Sequence, residues 1–129
     1  MSLKLILVSH DDVGLSMLKA AKIALHQLPF PVQAVSVSPE AEPKTVTAQL
    51  QAEIDNIPAE DGVLILTDIF GATPCNIAQG LQCNNDIRVV AGLNLPMLLR
   101  VFNYTDLPLE ELVQKAIEGG QNGIRACAG

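Results

Sequence analysis

The stretch Gly62-Val-Leu-Ile-Leu-Thr-Asp68 is an apolar run that stops abruptly at an acidic residue. A continuous apolar run of this kind is typical of a strand that is buried on both faces, as in parallel sheets. The start of the chain repeats the pattern, because the apolar residues 3–8 lead into Ser9 and His10. Two strands of a buried parallel sheet are therefore predicted to end beside a histidine and an aspartate.

Strand patterns alternate with helix patterns outward from this stretch. The predicted strands cover residues 3–8, 32–37, 62–67 and 87–91. The predicted helices cover residues 13–28, 43–57, 73–81, 95–102 and 108–117. Thr73 and Pro74 are predicted as N-cap and first helical residue of the third helix, and Gly119-Gly120 as the end of the last helix. This alternation favours an α/β fold with a mostly parallel sheet.

Composition limits the function. The chain has 129 residues, 49% of them hydrophobic, which is enough for one ordinary core. A net charge of −6 argues against nucleic-acid binding, which needs clustered lysine and arginine. No apolar run is long enough to span a bilayer, and no signal-peptide pattern is present, so we expect a cytoplasmic protein. Cys75, Cys83 and Cys127 lack CxxC spacing and are expected to be reduced thiols.

Functional groups of an open α/β sheet gather beyond the carboxyl ends of its strands. If the first and third strands are neighbours, His10 and Asp68 share one crevice. A carboxylate that accepts a hydrogen bond from one imidazole nitrogen fixes the tautomer and leaves the other nitrogen free to attack. The pattern therefore favours a nucleophilic histidine that is oriented by an aspartate.

An anion site is expected beside this pair. Gly71, Ala72 and Thr73 lead into a predicted helix N-terminus, where free N–H groups and the helix dipole favour an anion. Asn76 is expected to brace this loop, and Asn94 to cap the fourth helix. Together these features indicate a phosphoryl group held on His10, with no metal or organic cofactor. Although His10 and Asp12 could begin a metal site, the sequence offers no evident further ligands.

Three motifs resemble a known family. They are "VSH" at residues 8–10, "DIFGATPCN" at residues 68–76 and "NLPML" at residues 94–98. They closely resemble the enzyme IIA domain of the mannose family of the bacterial phosphotransferase system (PTS). The resemblance implies a cytoplasmic phosphocarrier that accepts a phosphoryl group from HPr on His10 and passes it to a IIB component. It also implies that Asp68 partners His10, that Thr73 lies near the phosphate, and that contact with the membrane is only indirect, through the IIC and IID components.

The resemblance also implies a fold and an assembly. We expect one domain over residues 1–129, with three α/β/α layers and a four-stranded sheet of order 2-1-3-4. A short C-terminal strand, at about residues 123–127, would be exchanged in a homodimer. Two residues depart from the family pattern: Asp11 stands where the family usually has Gly, and Ala72 stands where it usually has a second Gly.

Three alternatives stay open on the sequence. The first is the related phosphotransfer subunit of dihydroxyacetone kinase, against which the "GATPCN" and "NLPML" stretches argue. The second is a receiver-like domain that is phosphorylated on Asp68, but such a domain needs a late lysine and none follows Lys115. The third is a ligand-binding module without catalysis that uses the same crevice.

Overall fold

The computed structural model describes residues 2–81 and 84–129, so the predicted thiol of Cys83 lies outside the described residues. The strands of the described chain are β1 (Leu3–His10), β2 (Gln33–Val37), β3 (Gly62–Thr67) and β4 (Ile87–Ala91). Its helices are α1 (Val13–Leu25), α2 (Pro43–Asp55), α3 (Thr73–Gln79), α4 (Leu95–Phe102) and α5 (Leu109–Asn122). The predicted bounds of the third and fourth strands agree with the structure.

The four strands form one sheet in which each neighbouring pair is parallel, in the order β2-β1-β3-β4. This confirms the predicted order. The chain leaves β1 toward β2 on one side and later returns to place β3 on the other side. In the β1–β3 register Val8 is paired with Thr67, so His10 and Asp68 lie just beyond the last paired residues of two adjacent strands.

Apolar side chains alternate between two cores, one on each face of the sheet. Leu7 and Leu66 belong to the core covered by α1, α4 and α5, whereas Val8 and Ile65 belong to the core covered by α2 and α3. All four of these side chains are fully buried. Because both faces of the sheet are covered, its central strands are apolar throughout, and the three-layer prediction is confirmed.

The expected end of the last helix was wrong, because α5 continues through Gly119 and Gly120 to Asn122. Both glycines are buried where α5 crosses α4. A Cβ atom on Gly119 would lie 2.5 Å from the Cβ of Arg100, and one on Gly120 would lie 3.0 Å from the Cε of Met97. The glycine pair therefore allows two helices to approach closely, and it does not terminate the helix.

Other boundaries differ by smaller amounts. Helix α1 ends at Leu25, where the chain leaves the helix through His26 with a positive φ of 64°. Its polar stripe is broader than expected, since Ile23 is 77% exposed. Thr73 is the first helical residue of α3 and Ala72 is its N-cap, so the cap was predicted one residue too late.

The C-terminal tail follows α5. Residues 123–129 are exposed, and residues 123–127 belong to no strand of the described chain. The expected strand is exchanged between the two subunits of a homodimer, and this exchange stays a prediction. Among the described residues, no helix combines the length and the apolar character that are needed to cross a membrane.

Candidate functional site

His10 and Asp68 meet at the carboxyl edge of the sheet, between β1 and β3. One carboxylate oxygen of Asp68, Oδ2, lies 3.0 Å from the ring nitrogen Nδ1 of His10 and also accepts a 3.1 Å hydrogen bond from the His10 backbone N–H. The His10 side chain is 44% exposed, whereas that of Asp68 is only 10% exposed. Asp68 therefore contacts both the ring and the backbone of His10, and much of the ring stays open to solvent.

This contact selects a tautomer. An ionised carboxylate can only accept hydrogen bonds, so the hydrogen bond to Asp68 requires a proton on Nδ1 of His10. The neutral ring then carries its free lone pair on Nε2. The second oxygen of Asp68, Oδ1, is buried and has no hydrogen-bond partner among the described residues. The nucleophilic atom that this geometry offers is Nε2 of His10.

The turn after His10 is fixed by Ser9, a residue that the sequence reasoning did not single out. The buried Ser9 hydroxyl accepts a 2.8 Å hydrogen bond from the Gly14 N–H and donates to the Asp11 carbonyl at 3.3 Å. The Asp11 N–H in turn donates to the Val37 carbonyl at 2.9 Å. The hydroxyl therefore satisfies a free N–H in the first turn of α1 and joins that turn to the end of β1.

Both departures from the family pattern have a local explanation. Asp11 has a positive φ of 42°, a region that glycine adopts freely and that aspartate tolerates better than most residues. Ala72 has an extended backbone with a φ of −85°, so this position needs no glycine. Gly71 does have a positive φ, of 77°. The family's glycine at position 11 thus suits the backbone there, whereas the alanine at position 72 is a mild change.

A cleft of about 340 Å³ opens beside the histidine. It is lined by His10, Asp11, Val37, Ser38, Pro39, Ala41, Pro43 and Thr73. Thr73 is exposed at the start of α3, so the structure brings the predicted phosphate-binding threonine to the same cleft as His10. Gly71 and Ala72 form the turn that leads into it.

The remaining predicted residues act on backbone groups. Asn76 donates from Nδ2 to the Gly71 carbonyl at 3.4 Å and so braces the turn before α3. Asn94 accepts from the Met97 N–H at 2.9 Å and caps α4, as expected. Its Nδ2 also donates to the Gly120 carbonyl at 3.0 Å, which ties α4 to α5. Asn94 therefore stabilises the neighbouring helix pair.

Asp12 is hydrogen-bonded to a neighbouring strand and Cys75 is buried, so both residues have a structural role. Asp12 occupies the N-cap position of α1, but its Oδ1 accepts a 2.8 Å hydrogen bond from the Ser36 hydroxyl on β2. Within residues 2–81 and 84–129, no group of three His, Cys, Asp or Glu side chains is placed to hold a metal ion. Cys75 is 1% exposed and packs inside α3, and Cys127 is an exposed free thiol.

Two exposed apolar residues that follow Asp68 were also not singled out from the sequence. Ile69 and Phe70 follow Asp68 directly and are 55% and 80% exposed. Their position between a buried strand and a glycine turn could have predicted this exposure, because connecting segments at the end of a strand run over the protein surface.

Known proteins that are similar to this chain in sequence are components of the phosphotransferase system. The mannose-specific EIIAB component of the PTS from Escherichia coli strain K12 is 27% identical over 129 residues, covering 98% of this chain. The chain spans about 40% of the length of that relative. The fructose-specific EIIA component from Bacillus subtilis strain 168 is 32% identical over 87 residues, which is 66% of this chain and 60% of that protein.

Solved structures show the same fold. The mannose/sorbose-specific IIA subunit from Enterococcus faecalis aligns with a TM-score of 0.86 and 30% identity, covering 100% of this chain and 97% of that one. The EIIA component from Streptococcus agalactiae aligns with a TM-score of 0.85 and 26% identity, covering 96% of each chain. A family model described as "PTS system fructose IIA component" matches residues 4–117. The chain therefore belongs to the EIIA-man family of IIA components of the bacterial phosphotransferase system.

Proposed function

We propose that the protein is a cytoplasmic phosphocarrier of the phosphoenolpyruvate-dependent phosphotransferase system, formed by one IIA domain over residues 1–129. It accepts a phosphoryl group from HPr on His10 and passes it to a histidine of a IIB component. The observation that carries the proposal is the 3.0 Å contact between Nδ1 of His10 and Oδ2 of Asp68, which leaves Nε2 as a partly exposed nucleophile.

The transfer moves one phosphoryl group between two imidazoles. The Nε2 lone pair of His10 forms a bond to phosphorus while the phosphorus–nitrogen bond of phospho-HPr breaks, and the electron pair of that bond returns to the donor imidazole. The His10 ring, already protonated on Nδ1, becomes cationic as Nε2 is phosphorylated. The Asp68 carboxylate, 3.0 Å away, stabilises this developing charge and holds the ring in position.

The geometry favours His10 over Asp68 as the phosphate acceptor. Asp68 is 10% exposed, and its Oδ2 already accepts two hydrogen bonds from His10. Its other oxygen, Oδ1, is buried. An incoming phosphorus atom would reach this carboxylate only if the pair were pulled apart, which argues against a receiver-like mechanism.

The cleft beside His10 suits the transferred group. The exposed Thr73 lines it and can supply a hydroxyl donor to a phosphoryl oxygen. The positive φ of Gly71 turns the chain toward this end of α3. We assign Gly71, Ala72 and Thr73 to the phosphate-binding turn, with Asn76 bracing it and Asn94 supporting the neighbouring helix pair.

The partners follow from the family. Its E. coli relative is named as an EIIAB component, a name that joins a IIA part to a IIB part in one protein. We propose HPr as the donor and a IIB component as the acceptor, a homodimer as the working form, and contact with the membrane only through IIC and IID components.

Reconstitution tests the proposal. The protein is incubated with enzyme I, HPr and phosphoenolpyruvate, and then with a IIB component. We expect phosphate that is labile to acid, stable to base and transferable to IIB. His10→Ala should accept no phosphate, whereas His26→Ala, on the exposed end of α1, should be labelled like the wild type. Full labelling of His10→Ala, or labelling that needs Mg²⁺ and falls on Asp68, would contradict the proposal.

A further inference from the structure

The turn between β1 and α1 places His10 between two residues that bind each other. The Ser9 hydroxyl donates to the Asp11 carbonyl at 3.3 Å, so this hydrogen bond spans the histidine along the chain. The same hydroxyl accepts a 2.8 Å hydrogen bond from the N–H of Gly14, in the first turn of α1. Ser9 is 1% exposed and Gly14 is buried, so the hydroxyl is shielded from solvent.

The Ser9 hydroxyl binds an N–H group that the N-cap residue of a helix normally binds. An N-cap side chain usually accepts a hydrogen bond from the second or third helical residue. Asp12 is the N-cap of α1, but its side chain makes no capping hydrogen bond and instead accepts one from Ser36. Gly14 is the second helical residue, and its N–H donates to Ser9. Removing the Ser9 hydroxyl therefore takes away the partner of a buried N–H group and weakens the turn.

Asp11 has a backbone conformation that the surrounding structure must hold. Its φ of 42° lies in the left-handed region, which costs energy for residues other than glycine. Such a conformation persists only where neighbouring contacts fix it. Two hydrogen bonds do so here, because the Asp11 N–H donates to the Val37 carbonyl at 2.9 Å and the Asp11 carbonyl accepts from Ser9. Since Asp11 follows His10 directly, its backbone sets the direction in which the chain leaves the histidine.

We propose that Ser9 is a positioning residue for the phosphoryl transfer, and that it acts by holding Asp11 in the left-handed conformation. The 3.0 Å contact between Nδ1 of His10 and Oδ2 of Asp68 depends on where the backbone places the ring. If the turn relaxes, the ring moves relative to the carboxylate, and the tautomer with a free lone pair on Nε2 loses its stabilisation. The inference rests on the proposed function and adds a residue that controls the transfer rate through the backbone of its neighbours.

Steady-state kinetics with phospho-HPr test the effect of Ser9→Ala. We expect kcat to fall about ten- to a hundredfold, because a displaced nucleophile attacks with poor geometry, whereas KM should keep its wild-type value. The matched control is Ser36→Ala, which removes a hydroxyl that binds the Asp12 side chain at 2.8 Å in the same turn. This control should keep the wild-type kcat.

A double-mutant cycle tests the coupling between Ser9 and Asp11. Glycine adopts a positive φ without strain, so in an Asp11→Gly background the added Ser9→Ala change should lower kcat by about threefold or less. Asp11→Asn removes the same charge but keeps a Cβ atom. In that background Ser9→Ala should still lower kcat about ten- to a hundredfold. A general loss of stability would lower kcat equally in both backgrounds.

The ring reports the same effect before any phosphate is transferred. In ¹⁵N NMR of the unphosphorylated protein, Ser9→Ala should increase the share of the His10 tautomer that is protonated on Nε2. A second variant disturbs the same hydrogen bond and keeps the hydroxyl, because a Cβ atom on Gly14 would lie 3.1 Å from the Oγ of Ser9. Gly14→Ala should therefore lower kcat and shift the tautomers in the same direction, each to a smaller degree.

Three results would overturn the inference. They are a wild-type kcat for Ser9→Ala, an equal loss of kcat in the Asp11→Gly and Asp11→Asn backgrounds, and an unchanged tautomer share in Ser9→Ala. A wild type that phospho-HPr fails to phosphorylate would instead overturn the proposed function, and the wild-type reaction decides this before any variant is compared.

Discussion

At the scale of single residues, the site depends on how one carboxylate holds one imidazole. Asp68 contacts both the ring and the backbone of His10 through the same oxygen, so the ring has little freedom to turn away from the cleft. A buried acid behind a half-exposed histidine combines orientation with charge stabilisation. Changes at Asp68 should therefore act on the rate of phosphoryl transfer more than on the fold.

Asp68→Asn tests this role. The amide oxygen can still accept both N–H groups of His10, but the side chain no longer carries a charge that stabilises a cationic ring. We expect the phosphotransfer rate to fall by one to several orders of magnitude, a barrier increase of about 2–4 kcal/mol. Rapid-quench kinetics with phospho-HPr measure the rate, and circular dichroism checks the fold. The control is Asp86→Asn, at the amino end of β4, which should transfer phosphate at the wild-type rate. A near-native rate for Asp68→Asn would mean that Asp68 has only a structural role.

Asp11 is the second residue with a testable effect. Asp11 lines the cleft one residue from His10, so we expect its carboxylate to repel a phosphoryl group that is held on His10. Asp11→Asn removes the charge and keeps a side chain that tolerates a positive φ. We expect the phosphoryl equilibrium with HPr to shift toward this protein by about tenfold, or about 1.4 kcal/mol, at low salt.

Asp11→Gly should produce the same shift in that equilibrium, because it removes the same charge. Glycine also adopts the positive φ at this position without strain. The difference in the free energy of unfolding between Asp11→Gly and Asp11→Asn therefore separates the backbone effect from the charge effect. If both variants leave the equilibrium constant unchanged, or move it toward HPr, the Asp11 side chain does not act on the phosphate.

At the scale of elements, the contact between α4 and α5 shows where sequence patterns mislead. A glycine pair at the end of an amphipathic run predicts a helix stop, yet here the two glycines lie inside α5 against Arg100 and Met97. The contact joins residues about 20 positions apart, and such a pairing is not visible in local periodicity. By contrast, β3 and β4 were predicted to the residue because their apolar runs are local features.

Gly119→Ala tests this packing. Alanine favours a helix over glycine by about 1 kcal/mol, so a loss of stability would have to come from the clash with Arg100. We expect the free energy of unfolding in urea to fall by about 1–3 kcal/mol. Gly80→Ala, at the exposed end of α3 where a Cβ meets only ordinary contacts, should stay within about 0.5 kcal/mol of the wild type. A Gly119→Ala protein as stable as the wild type would contradict the close packing.

At the scale of the whole molecule, the sequence predicted the sheet and the meeting of His10 with Asp68. Both follow from buried apolar strands and from the rule that function gathers at the carboxyl edge of a parallel sheet. The positive φ of Asp11, the Ser9 hydrogen bonds and the exposure of Phe70 could not be predicted in the same way. Each depends on contacts or solvent exposure that arise only after the chain has folded.

The tail should matter for assembly. Residues 123–129 are exposed, with Ile124 at 78%, and β4 forms one edge of the sheet. We expect a homodimer that exchanges this segment, so a chain ending at Gly123 should be monomeric or less stable. Sedimentation velocity at micromolar concentration measures this, with Cys127→Ser as a full-length control that should stay dimeric. A full-length protein that sediments as a monomer would exclude the exchange.

In the proposed transfer, Asp68 directs the phosphoryl group to one nitrogen of one histidine. Heteronuclear NMR of ¹⁵N-labelled protein, phosphorylated by enzyme I, HPr and phosphoenolpyruvate, identifies the nitrogen bonded to phosphorus. We expect phosphate on Nε2 of His10, with Nδ1 still protonated against the Asp68 carboxylate. Phosphate on Nδ1 of His10, on His26 or on a carboxylate would show that Asp68 does not direct the transfer in this way.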